Sequence, residues 1–168
     1  MTVHSSLGVG ALVLCAVAAF TGCHRPMSEG IASAAQPDSL VGVVSVTGTS
    51  FEQHVVLRVA GRAQALVTTS ADSASLSRVA GTEVVVRGRV EGNSLRVVSF
   101  TVRGLNGAPV ADGTLLREGG LFVLQTAGGR REIGNPPASF GSMIGARIWV
   151  AGPLDVGPNV YGVITPAR

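Results

Sequence analysis

Lysine is missing from the 168 residues; all 13 basic side chains are arginine. That absence removes Schiff-base catalysis, the phosphate-gripping lysine of a P-loop and Ser-Lys hydrolysis. Cysteine is confined to Cys15 and Cys23 at the N-terminus. Cys15 lies within an apolar run that reads as a removable export segment, which would leave one thiol and no intrachain disulfide. Aromatic residues make up 4% of the chain, with a single Trp and a single Tyr. After export His24 and His54 would be the only imidazoles, and no H-E-x-x-H, C-x-x-C or His/Asp cluster accompanies them. A metal site needs three or four convergent ligands. Phe51-Glu52-Gln53-His54 supplies two at best and reads as a solvated loop or strand edge. No G-x-S-x-G occurs, Gly141-Ser142-Met143-Ile144-Gly145 has the wrong spacing, and the ten acids form no recognisable carboxylate pair. The sequence therefore reads as a chain with no catalytic residues, no metal and no cofactor.

What is present points to turns and strands. The chain is 46% hydrophobic and 14% charged, with 23 Gly and a net charge of +3, a balance that suits a compact β-rich protein rather than a disordered one. Leu7 to Phe20 form an uninterrupted apolar run of 14 residues. Such a run fits the hydrophobic region of a signal peptide and falls short of the roughly 20 residues that a spanning helix needs.

Phe20-Thr21-Gly22-Cys23 follows, and it resembles the lipobox of bacterial lipoproteins. In that family, small residues before the Cys admit a dedicated peptidase, and the thiol becomes the diacylglyceryl anchor. Two features depart from the pattern: Phe20 stands where a Leu-like residue is usual, and Met1 to Ser6 carry no Arg or Lys. Ordinary secretion after Ala16-Val17-Ala18 and an uncleaved anchor are the competing readings. The resemblance implies a signal peptide over 1–22, lipidation of Cys23 and attachment to a membrane of the cell envelope. An Asp after the Cys would resemble an inner-membrane retention signal; His24 instead implies an outer-membrane protein facing the periplasm, in a cell that has an outer membrane. Residues 24–39 (HRPMSEGIASAAQPDS) read as a tether with a typical reach of about 20–25 Å.

Beyond residue 40 one pattern occurs twice. Gly81-Thr-Glu-Val-Val-Val-Arg-Gly88 matches Gly145-Ala-Arg-Ile-Trp-Val-Ala-Gly152. Upstream, Val55-Val56-Leu57 with Gly61-Arg62 matches Phe122-Val123-Leu124 with Gly129-Arg130, and Gly42-Val-Val matches Gly113-Thr-Leu. The order is kept and the offsets vary by loop-sized amounts, as internal duplication requires. The first copy reads as strands near 40–47, 53–59, 62–68, 82–90 and 94–102, with a helix over Asp72 to Val79 because Leu76 and Val79 share a face. The second reads as strands near 111–117, 120–126, 130–133, 146–154 and 159–165, with Pro136-Pro137 and Gly141 opposing a regular helix between the third and fourth. Five strands with a helix after the third resemble the OB-fold, a small Greek-key barrel; a split barrel or two packed meanders fit nearly as well. The expected class is all-β: repeats at 40–103 and 111–168, a linker at 104–110 carrying an Asn-Gly turn signal, and two barrels packed together.

The fourth and fifth strands permit a parity argument. A two-residue turn at Gly92-Asn93 pairs Val90 with Leu95 and Gly88 with Val97. Val84, Val86, Gly88, Val90, Leu95 and Val97 then face inward, and Val85, Arg87, Arg89, Arg96, Val98 and Phe100 face outward. The corresponding outward set of the second copy is Trp149, Ala151, Pro153, Tyr161 and Val163. These outer faces are too apolar for full solvation, so the two repeats either bury them against each other or against the tether, or present a partner surface around Val85, Phe100, Trp149 and Tyr161. Arg89 and Arg96 face each other, to be neutralised by Glu83 or Glu91 or to grip an anion together with Arg87.

An OB-fold invites the expectation of single-stranded nucleic acid, which needs a basic groove lined with stacking rings. The second strands offer one ring, Phe122, and export removes the opportunity, so the sequence argues against it. The expectation is a non-catalytic envelope lipoprotein, bound to the membrane through Cys23 and serving as a structural or protein-binding module with an envelope protein as partner. The alternative is a polyanion or oligosaccharide binder using Arg87, Arg89 and Arg96.

Overall fold

The computed structural model describes residues 38–49 and 51–168. The signal peptide, Cys23 and the tether as far as residue 37 lie outside the described residues. Among those described, no helix is long and apolar enough to cross a membrane.

The fold is all-β and contains a closed five-stranded barrel. Its strands are β1 (Asp38–Gly48), β2 (Gln53–Val59), β3 (Arg62–Val67), β4 (Thr82–Glu91) and β5 (Ser94–Leu105). The ladders run β1–β2, β2–β3, β3–β5, β5–β4 and β4–β1; only β3–β5 is parallel. Ring closure with a helix between the third and fourth strands is the OB-like plan expected of the first repeat. That helix, α1 (Ser70–Arg78), starts two residues earlier than Asp72 because Thr69 caps it. The Thr69 hydroxyl accepts from the Asp72 amide at 3.1 Å and donates to the Asp72 carboxylate at 2.7 Å. Leu76 and Val79 point from it into the barrel and are buried, as their shared face predicts.

Five more strands follow: β6 (Ala108–Glu118), β7 (Leu121–Thr126), β8 (Gly129–Ile133), β9 (Arg147–Ala151) and β10 (Val160–Thr165), with a 3₁₀ turn at Ala138–Ser142 where Pro136-Pro137 oppose a regular helix. Four of the five barrel ladders have counterparts here: β6–β7, β7–β8, β6–β9 and β9–β10. The registers correspond residue by residue. Val44 pairs with Leu57 as Leu115 pairs with Leu124, and Gly42 faces Val84 as Gly113 faces Ile148. The Gly81 amide donates to the Val44 carbonyl at 2.9 Å, and the Gly145 amide to that of Leu115 at 2.8 Å. Gly42 and Gly113 are required by close approach: an added Cβ would lie 2.5 Å from the Arg58 carbonyl oxygen and 2.4 Å from that of Gln125, respectively.

The second set is nevertheless an open sheet, which corrects the expectation of two closed barrels. Among the described residues β8 pairs only with β7, and β10 only with β9. Strands β9 and β10 have five and six residues where β4 and β5 have 10 and 12, so they end before they can curl round to β8. The expected strand over 146–154 stops at Ala151 for the same reason. Instead the chain after β9 covers the end of β8: the Gly134 amide donates to the Leu154 carbonyl at 2.7 Å and the Asn135 side chain to that of Val156 at 2.8 Å.

The linker expected at 104–110 does not exist as such. Strand β5 runs to Leu105 and β6 begins at Ala108, leaving a two-residue hairpin at Asn106-Gly107 with φ of 50° and 80°. Likewise β1 begins at Asp38, inside the stretch read as tether.

Two clusters of buried side chains form the interior. Leu115, Leu124, Ile133, Phe140, Ile148, Val150 and Leu154 make the core of the second half, where Phe140 meets Phe122 and Tyr161 edge to face. The barrel core is not made by the barrel alone. Trp149, Ala151 and Ile164 of the second half join Val44, Leu57, Leu76, Val84, Val86, Leu95, Phe100 and Val102 in one cluster.

Candidate functional site

The β4–β5 hairpin forms in the expected register, with Arg89 opposite Arg96, Val90 opposite Leu95 and Gly88 opposite Val97. Beyond it Arg87 pairs with Ser99, so Val98 is an extra, bulged residue. The bulge reverses the parity of everything downstream. Phe100 therefore faces the barrel core at 6% exposure, not the outside, and leaves the candidate interface. Val90, expected inside, is 58% exposed because the hairpin extends past the core.

Arg87, Arg89 and Arg96 are exposed on this hairpin. Arg96 is occupied: its guanidinium donates to both carboxylate oxygens of Glu91, at 2.6 and 2.9 Å. Glu83 instead pairs with Arg103 at 2.8 Å. Among the described residues Arg87 and Arg89 have no ion-pair partner. The fork on Arg96, followed by the charges of Arg96 and Arg89, holds the Glu91 carboxyl below the usual carboxylate range and raises Arg96. A depressed carboxylate stabilises the fold above its unfolded-state pKa, and the contribution is lost as pH falls through the lower, folded-state value. In a carbon-detected titration, the Glu91 midpoint is expected below that of an ordinary Glu, and Arg96→Gln should move it back up. A midpoint unchanged by that substitution would contradict the pairing.

Trp149 and Tyr161, expected to share an outward face, lie on opposite faces. Gly162 pairs with Trp149, and Tyr161 with Val150. Trp149 is 7% exposed and belongs to the barrel core, while Tyr161 packs on the second core with its hydroxyl 2.7 Å from that of Ser139. The β9–β10 connection, residues 152–159, is too long and irregular for parity to carry across it from sequence. Of the proposed interface Val85 and Tyr161 are both half-buried, on different sheets, and Val85 lies beside the partly exposed Val41.

A feature absent from the sequence reading joins the two halves. The Asp112 side chain on β6 is 4% exposed and accepts a bidentate pair from Arg147 on β9 at 2.8 and 2.7 Å. Its Oδ2 also accepts from the Val102 amide of β5 at 2.8 Å. Arg147 donates further to the Phe100 carbonyl at 2.6 Å and lies over the Phe100 ring, 4.9 Å from its centroid. Arg147 stands at a variable position of the repeated Gly145–Gly152 pattern and Asp112 outside any pattern, so neither is marked. The available signal was parity: Asp112 and Arg147 are charges on the strand face that also carries Val110 and Trp149.

No known protein family, curated protein or solved structure matches this chain. The geometry carries the reading by itself. Next to the Asp112 pair lies a groove of about 440 Å³ lined by Thr101, Arg103, Pro109, Ala127, Arg131 and Leu154, among others. Arg103 at its rim is engaged by Glu83. Glu52 and His54 approach to 3.6 Å on the surface, and no group of three or more potential metal ligands occurs among the described residues. The outer face of β2 and β3 presents Val56, Arg58, Ala63, Ala65 and Val67, with the fully exposed Phe51 in the preceding loop.

Proposed function

We propose that this chain is a non-catalytic envelope protein, anchored by a lipid on Cys23, whose two β halves form a rigid structural or protein-binding module. The observation that supports it best is the free edge of β10. Its six residues, Val-Tyr-Gly-Val-Ile-Thr, carry no charge, and no strand pairs with its outer side among the described residues. Natural edges are blunted by charge, and β8 at the other edge has Arg130, Arg131 and Glu132. β10 lacks that protection except near its end, where Arg78 of α1 donates to the Ile164 carbonyl at 3.5 Å. An uncharged edge whose faces are already packed on the two cores leaves its backbone groups to add an extended segment from a protein partner. The polyanion reading is the weaker one, because Arg96 is already held by Glu91.

Photocrosslinking in the living envelope tests the proposal. A crosslinker at Val160, which is 48% exposed, should trap a discrete protein, and one at Arg131 on the charged edge should not. Adding the trapped protein should then slow amide exchange along β10. Equal capture from both edges, or unchanged exchange in β10, would refute the edge as the binding site. Release of the protein from membranes by Cys23→Ala tests the anchor independently.

A further inference from the structure

We propose that the end of the barrel where the chain enters is a docking surface for an anionic phospholipid layer, with Arg58, Arg62, Arg87 and Arg89 as cations that have no ion-pair partner among the described residues; Arg58 also donates to the Ser45 hydroxyl at 3.1 Å. This rests on the reading that Cys23 carries the anchor. Strand β1 enters at Asp38, which pairs with Gly88, and the Val90 amide donates to the Asp38 carboxylate at 3.3 Å. The tip of the β4–β5 hairpin therefore lies beside the entry point. The β2–β3 hairpin ends on the same side: Val43 pairs with Arg58, and the parallel match of Ala65 with Ser94 carries Arg62 beyond the start of β5.

Five exposed arginines, counting Arg96, thus gather at this end with two carboxylates, Asp38 and Glu91, and the second is taken by Arg96. The opposite end has a different balance. Its loops and helix carry Glu52, Asp72 and Arg78, and Glu83 there is paired with Arg103. The barrel is electrically polar along its axis, positive toward the anchor. Val90 adds an exposed apolar side chain among the arginines.

The length of the preceding chain makes the placement matter. Fourteen residues separate Cys23 from Asp38, and read as a tether they reach typically about 20 Å. The β1–β2 loop lies farther on by the 11 residues of β1, about 30 Å along the strand. Attraction to an anionic surface fades within about 8 Å at physiological salt, so the arginine end, nearer the anchor, enters the field more readily than the other end. Each arginine near such a surface strengthens association on the order of fivefold.

The test uses the full-length lipidated protein in vesicles. With residues 1–22, including Cys15, removed and Cys23 acylated, no other thiol remains, so Asn93→Cys and Glu52→Cys each accept one nitroxide. In vesicles rich in phosphatidylglycerol, a nickel-chelating lipid headgroup should relax the label at 93 several-fold more than the label at 52. The difference should vanish in phosphatidylcholine alone, at high salt, and in Arg87→Gln/Arg89→Gln. Equal relaxation at both sites, or indifference to lipid charge or to the double substitution, would overturn the docking surface. The mass of the N-terminal peptide separates the two claims: an unacylated Cys23 sinks the anchor reading and the docking surface with it. Acylation without preferential relaxation at 93 sinks the docking surface alone.

Discussion

Trp149→Ala is expected to lower the unfolding free energy by about 3–5 kcal/mol, the cost of deleting a large buried aromatic. The indole comes from the second half of the chain but fills the core of the first. It lies against the bare backbone of Gly162, where an added Cβ would stand 2.6 Å from Nε1. That nitrogen is buried with no hydrogen-bond partner among the described residues. An unpaired buried donor costs about 1–3 kcal/mol, so Trp149→Phe removes a penalty along with some packing and should cost far less than Ala. Urea unfolding of the two variants measures the contrast. Because the ring bridges the halves, amide exchange at Leu57 and at Leu124 should accelerate together in the alanine variant. Faster exchange in one half only would show that the halves are energetically separate. Loss of a partner in Trp149→Ala would report instability rather than a lost contact surface, which is why the edge of β10 is the better place to probe binding.

The all-β class and the barrel are legible because they rest on short-range rules. Gly42 and Gly113, Leu57 and Leu124, Val84 and Ile148 recur in order, and those pairs occupy the same register positions in the two sheets. The Asn93 turn fixed the hairpin register as far as Gly88, and the structure follows it there. Legibility ended at Val98. One bulged residue moved Phe100 from surface to core, and nothing in Val-Val-Ser-Phe marks which residue will be skipped. Closure failed for a related reason: whether five strands seal depends on strand length and shear, which are properties of the whole ring. Arg87, Arg89 and Arg96 are exposed, and Arg89 faces Arg96 across the hairpin, as strand alternation predicts. Their position relative to the chain entry is a three-dimensional fact, available only once Asp38 is paired with Gly88.

The junction between the halves has two parts of different chemistry, and they constrain each other. Trp149, Ala151 and Ile164 contribute apolar area without direction, while Asp112 and Arg147 contribute direction at the cost of desolvation. Apolar packing alone would let β9 slide along the barrel end. The fork from Arg147 onto Asp112, with the Val102 amide and the Phe100 carbonyl as its third and fourth points, permits one position. In this way a two-residue hairpin at Asn106-Gly107 is enough to join two sheets as one body.

Removing the acid tests that division of labour. Asp112→Ala should destabilise the protein by about 2–4 kcal/mol, below the full figure for breaking a buried pair because Arg147 is about a third exposed. The loss has two sources: a guanidinium left with the Phe100 carbonyl alone, and a Val102 amide left without its acceptor. Asp112→Asn keeps an acceptor for that amide and should lose less. Arg147→Lys keeps the charge but not the fork, and should lose nearly as much as the alanine variant. Replacing the pair by Leu and Met at 112 and 147 discriminates best. Desolvation then disappears with the charges, so the double variant should be more stable than Asp112→Ala while its amide exchange near Val102 becomes faster, since the directional anchor is gone. A double variant no more stable than the single one would mean that the pair contributes through net attraction, and the account of it as a positioning device would fall.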